Sequence, residues 1–88
     1  MTWTIEFERV AAKEFRKLDQ QTQRRIRNFL QQRILATNNP RSAGKPLRGP
    51  HSELWRYRIG PFRVVADIQD QRMTVLVVRV GHRRAVYQ

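Results

Sequence analysis

The spacing of apolar residues changes along the chain, and each change marks an element. Trp3, Ile5 and Phe7 alternate with Thr2, Thr4 and Glu6, the period of two expected of a short strand with one buried face. From Arg9 the spacing turns helical: Ala11, Phe15 and Leu18 share a stripe, and Asp19 is placed to end that helix and cap the next. Ile26, Phe29, Leu30 and Ile34 mark one face of a second helix running to about Ala36. Asn38-Asn39-Pro40 stops it, because proline disfavours helical geometry in the residue before it.

Residues 40–50, PRSAGKPLRGP, hold three prolines, two glycines and three cations, and read as an ordered loop rather than a linker. Three alternating runs follow, Leu54 to Ile59, Phe62 to Ile68 and Met73 to Val80, separated by Gly60-Pro61 and Asp70-Gln71. Separations this short make successive strands antiparallel neighbours, and Gly81 is expected to end the last one. The order β-α-α-β-β-β predicts an α+β fold, two helices packed on a small, mainly antiparallel sheet. A length of 88 residues allows one domain, spanning 1–88, with one modest core.

Alternation also sorts the side chains of the run after the loop. Trp55, Tyr57 and Ile59 point one way, while Leu54, Arg56 and Arg58 point the other. An even turn at Gly60-Pro61 sets Arg58 across from Arg63 and Arg56 across from Val65; a three-residue turn would shift the register. Like charges facing each other across a strand pair destabilise a sheet. The cluster therefore calls for a bound anion, for solvation, or for pairing with Asp67 or Glu53. Trp55 and Tyr57 read as core, with base stacking as their other possible use.

Charge sharpens the picture. Eighteen Lys+Arg against seven Asp+Glu give a formal net charge of +11, and 15 of the 18 cations are arginine. The forked guanidinium suits bidentate phosphate contacts and stacking on bases, so a polyanion is the expected partner. Residues 20–52 contain no acid at all. Arg24, Arg25 and Arg27 read as a solvated helix face or as outlying contacts to nucleic acid or a partner. The chain has no cysteine, which excludes disulfide and thiolate chemistry. His51 and His82 do not stand at metal-ligand spacing, so no metal site is expected. The longest apolar run, Val75 to Val78, is far short of the ~20 residues that span a bilayer. No signal peptide precedes the first charges, and a cytoplasmic protein without membrane contact is expected.

Taken together and in order, AAKEFRKLD, KPLRG, LWRYRIGPFRVV and VGHRRAVY resemble the RelE branch of the RelE/ParE toxin superfamily over nearly the whole chain. The resemblance implies a single RelE-like toxin domain acting as a ribosome-dependent endoribonuclease. Such an enzyme enters the A site of the 70S ribosome and cuts mRNA by 2′-hydroxyl attack on the adjacent phosphate, with no metal or other cofactor. It also implies a cognate RelB-like antitoxin, in a heterodimer or heterotetramer.

Arg63 matches the family's central-strand arginine, Arg83 the arginine after the last strand, and Tyr87 the C-terminal tyrosine, which the apolar pair Val86-Tyr87 would dock beside the arginines. Arg56 and Arg58 stand where better-known members carry lysines. Arginine keeps its proton, which leaves Tyr87 or His82 to accept one, or a mechanism of positioning and charge stabilisation alone. Lys45, Arg48 and Arg84 are the expected RNA-binding residues. Two other functions stay open: a ParE-like poison of DNA gyrase, and an RNA-binding domain whose catalytic activity has decayed.

Overall fold

The computed structural model describes residues 2–82. Strand β1 (Thr4–Phe7) leads into helix α1 (Arg9–Arg16) and helix α2 (Gln20–Leu30), which continues as one wider turn over Gln31–Leu35. A two-residue strand β2 (Lys45–Pro46), then β3 (Trp55–Ile59), β4 (Phe62–Gln69) and β5 (Thr74–His82) complete a five-stranded sheet in the order β1-β5-β4-β3-β2. β1 runs parallel to β5, and every other neighbouring pair is antiparallel. Two helices on a mixed sheet are thus the α+β arrangement that the alternation implies.

Local chemistry explains the boundaries. The Asp19 carboxylate accepts the Thr22 backbone N–H at 3.4 Å, capping α2 as expected. A hydrogen bond from the Thr22 side chain, and after it this backbone contact, hold the Asp19 carboxyl below its ordinary pKa. At the far end the Ala36 N–H donates to the Gln31 carbonyl five residues back, and Asn38 then adopts a left-handed backbone that leaves the helix. Gly60 supplies the positive φ of 59° at the first position of the β3–β4 turn, and Pro61 supplies the second. A two-residue turn of this kind matches the twist of the flanking strands.

The helix-covered face of the sheet carries the core. Ala11, Ile26 and Ile34 from the helices meet Tyr57, Val64, Val75 and Val77, all fully buried. Each buried valine or isoleucine side chain contributes about 1.5–3 kcal/mol through burial. Tyr57 is tolerated there because its hydroxyl donates to the Pro40 carbonyl at 2.6 Å. Burial pushes its phenol pKa well above the ordinary value. Trp55 packs beside it and donates from Nε1 to the Ala43 carbonyl at 2.7 Å. Both aromatics are structural.

Three features depart from expectation. β5 continues through Gly81 to His82, because β4 offers partners that far: Arg63 opposite Gly81 and Phe62 opposite His82. The proline-rich loop contributes β2, which pairs Lys45 with Arg56 and Pro46 with Trp55. The opposite face of the sheet is also partly covered, since Leu47 and Val65 are buried there with Leu54 and Val78 around them. A register shift between Val65 and Ala66 inserts Val78 into β5 and so feeds that second cluster.

Above Val77, β5 has lost β1 as a neighbour, and α1 takes its place. The Glu14 carboxylate accepts the Val80 backbone N–H at 2.9 Å and Arg79 Nε at 3.0 and 3.2 Å. An otherwise bare sheet edge is thereby capped.

Candidate active site on the open face of the sheet

The β3–β4 register places Arg58 directly opposite Arg63 and Arg56 opposite Val65. Arg63 is flanked on its other side by Gly81, which has no side chain to compete for space. β2 lays Lys45 beside Arg56 from the outer edge. The result is a cavity of about 620 Å³ lined by Lys45, Arg48, Arg56, Arg58 and Arg63, with Pro46 and Leu47 as its apolar wall. Five of its seven lining residues are cations and none is an acid.

The loop reaches this position through Gly44. Its φ is +78°, and a Cβ there would lie 2.2 Å from the Arg56 carbonyl oxygen and 2.7 Å from Trp55 Nε1. Only glycine permits so close an approach at that backbone angle. Leu47, buried against Val65, then pins the loop to the sheet beside the cations.

The electrostatics within the cavity are unfavourable. Burial, and next the charges of Arg58 and Arg48, pull the Arg56 pKa below its ordinary value. Arg63 is only 5% exposed, so its charge is held close to the sheet. The ion pairs Arg41–Asp70, Arg72–Glu6 and Arg79–Glu14 do not involve Lys45, Arg48, Arg56 or Arg58. Asp67, an alternative partner for the cluster, accepts instead from Gln69 at 3.1 Å. A bound phosphate would relieve the repulsion and take up several charge-assisted hydrogen bonds.

Five expected site residues therefore converge: Arg56, Arg58, Arg63, Lys45 and Arg48. His82 is not brought to the cavity. It pairs in register with Phe62, whose side chain packs on the helix-covered core, and its ring meets the Phe62 ring edge-on at 5.9 Å. Arg83, Arg84 and Tyr87 lie outside the described residues. Reasoning from sequence missed Gly44 and Leu47. The only signal available for either was a glycine and a leucine between prolines in PRSAGKPLRGP.

Among the described residues no three His, Asp or Glu side chains gather as a metal site. No helix there is long and apolar enough to cross a membrane.

The family model described as "ParE toxin of type II toxin-antitoxin system, parDE" matches residues 5–87. Toxin RelG of Mycobacterium tuberculosis is 28% identical over 88 residues, covering 100% of this chain and 99% of that protein. Toxin RelE of the same organism is 39% identical over 51 residues, or 58% of this chain and 53% of that protein. Among solved structures, a chain of the toxin-antitoxin complex RelBE2 of M. tuberculosis superposes with a TM-score of 0.83 at 28% identity, covering 94% of this chain and 93% of that one. The isolated E. coli RelE toxin shares the fold with a TM-score of 0.73 at 24% identity, covering 91% and 83%.

Proposed function

Because this chain belongs to the RelE/ParE superfamily of type II toxin-antitoxin toxins, we propose that it is a ribosome-dependent endoribonuclease that cleaves mRNA in the A site. One observation carries the reading: five cations, with no acid among them, line one cavity around the facing pair Arg58 and Arg63.

Attack by a 2′-hydroxyl on the adjacent phosphorus forms one P–O bond and breaks the bond to the 5′-oxygen. The products are a 2′,3′-cyclic phosphate and a free 5′-hydroxyl. Negative charge on the phosphoryl oxygens grows toward the five-coordinate transition state. Fixed guanidinium donors stabilise that charge more than the ground state, the differential binding on which catalysis depends. The same positive field lowers the pKa of the attacking hydroxyl.

Arg58 and Arg63 hold the scissile phosphate in this scheme, and Arg56 and Lys45 continue the field toward the sheet edge. Arg48 and Arg84 bind flanking RNA. Arg83 completes the phosphate clamp, and Tyr87 handles the proton. In-line positioning by the ribosome supplies much of the remaining rate. Solved relatives captured as RelB–RelE antitoxin–toxin complexes support a RelB-like antitoxin as the partner that silences the toxin.

Incubation with translating ribosomes followed by mapping of RNA ends tests the proposal. Cuts at codon spacing are expected, lost in Arg63→Ala and Arg83→Ala while ribosome binding survives. The matched family model favours one rival, a gyrase poison of the ParE kind. Inhibition of supercoiling without RNA cuts would establish that rival instead. Intact RNA together with ribosome binding that weakens in proportion in every variant would leave a decayed RNA-binding domain.

A further inference from the structure

Helix α2 presents a second cationic line to the same edge of the sheet. β2 pairs with β3 only at Trp55 and Arg56, so among the described residues the outer backbone edge of β3 from Tyr57 to Ile59 meets no strand. Beside that edge, Arg25, Phe29 and Arg33 follow one another at intervals of four along α2 and its continuation. Residues so spaced share a helix face and here span about 12 Å along the axis.

Three contacts fix the line in place. The Arg25 guanidinium lies against Gly60, where an added Cβ would meet both terminal nitrogens at 2.8 Å. The Phe29 ring stands edge-on to Tyr57 at 5.9 Å. The Arg33 guanidinium sits over the Phe29 ring at 5.6 Å. A cavity of about 270 Å³ opens between helix and strand, lined by Phe29, Arg33, Lys45, Arg56 and Arg58 with Ala43 and Gly44 at its floor. Lys45, Arg56 and Arg58 also line the larger cavity. The two spaces therefore adjoin across these three side chains and form a groove at the edge of the sheet, with Arg25 beyond its lining toward Gly60.

We propose that this groove is a track for the single-stranded RNA that flanks the scissile phosphate, with Arg33 and Arg25 each holding one backbone phosphate. The proposal rests on the nuclease reading above. A run of cations along a groove can follow the phosphates of a single strand without reading its sequence. A protein segment fits less well, because protein interfaces depend on buried apolar anchors, and the groove's single aromatic is already covered by Arg33.

The test measures binding of the full chain to two fully 2′-O-methylated, hence uncleavable, oligoribonucleotides of about three and about ten nucleotides across a salt series. The short one fills only the main cavity; the long one also follows the track. Each phosphate contact adds about 0.7 to the log–log salt slope for a single strand. The variant Arg25→Gln/Arg33→Gln is therefore expected to lower the slope for the long oligonucleotide by about 1.4 and to leave the short one unchanged. Arg58→Gln should weaken both.

A double variant that binds the long oligonucleotide with the wild-type slope overturns the track, while short-oligonucleotide binding that depends on Arg58 keeps the main cavity as an RNA site. Wild-type protein that binds both lengths alike, or neither, also overturns it. So does a double variant that keeps its RNA slope but no longer binds the antitoxin, which would make the groove a protein interface. Both arginines are exposed, and an unchanged melting curve confirms that the variant is folded.

Discussion

Replacing Gly44 by alanine adds one methyl group where the loop crosses closest to the sheet. The new Cβ would fall 2.2 Å from the Arg56 carbonyl oxygen, 2.7 Å from Trp55 Nε1 and 3.0 Å from Tyr57 Cδ1. The nearest of these atoms is backbone inside a strand, so the loop must move. The left-handed backbone costs an alanine roughly 1–2 kcal/mol. Displacing the loop also loses the Trp55–Ala43 hydrogen bond of 2.7 Å, worth about 1 kcal/mol. The Lys45–Arg56 and Pro46–Trp55 pairings go with it.

A total near 3 kcal/mol follows, which at about 4–8 °C per kcal/mol for a domain of this size lowers Tm by roughly 12–24 °C. Gly49 is the internal control. Its φ is +73°, yet a Cβ there meets nothing within 4 Å. Gly49→Ala therefore carries the backbone cost alone, about 1–2 kcal/mol. Thermal and urea unfolding followed by tryptophan fluorescence and circular dichroism reads both variants. If the two agree within about 0.5 kcal/mol, the close approach of Gly44 contributes nothing and the account of how Lys45 reaches the cavity is wrong.

Arg58→Gln removes one of two facing like charges, so at low salt it should raise stability by about 0.2–1 kcal/mol while lowering cleavage by about 10²–10³-fold; a variant that loses both would show that Arg58 is structural. Glu14→Ala strips the cap from the β5 edge, orphaning the Val80 N–H and uncoupling Arg79, and should cost about 2–3 kcal/mol by chemical denaturation. Its amide should also exchange with solvent faster than in the parent, and unchanged exchange would refute the capping role. Asp70 is held below its ordinary pKa, first by its hydrogen bonds to Arg41. A depressed carboxylate stabilises fully above its unfolded pKa of about 3.9 and loses that contribution as pH falls through the folded value. The Tm gap between the parent and Asp70→Asn should therefore be constant near neutrality and shrink below about pH 4; a gap independent of pH would remove the pair from the stability account.

Residues 53–65 made much of the site legible from sequence. Strict alternation in WRYRI and a two-residue turn between partners fix which side chains share a face, so the opposition of Arg58 and Arg63 could be read directly. Both helices were equally plain, because their apolar stripes recur every three or four residues. Non-local geometry was not legible. Nothing in TIEF announces a parallel pairing with Thr74–Val77, since no turn links the two segments. The bulge at Val65/Ala66 and the burial of Leu47 on the cationic face arise from packing between distant segments. His82 was misleading for a similar reason: near VGHRR it is an attractive proton acceptor by chemistry, but strand parity turns it to the side shared with Phe62.

The position of β5 has a consequence for the timing of synthesis. Among the described residues it is the latest strand in chain order, yet it lies inside the sheet between β1 and β4, with Thr4 in register with Thr74. While a ribosome is still making the protein, the first strand has nothing to lie against, and Gly81, the flank of Arg63, does not yet exist. Contacts that link sequence ends form late in folding because the intervening chain must first be closed into a loop. The sheet around the arginine cluster is therefore closed only after residues 74–82 have been made.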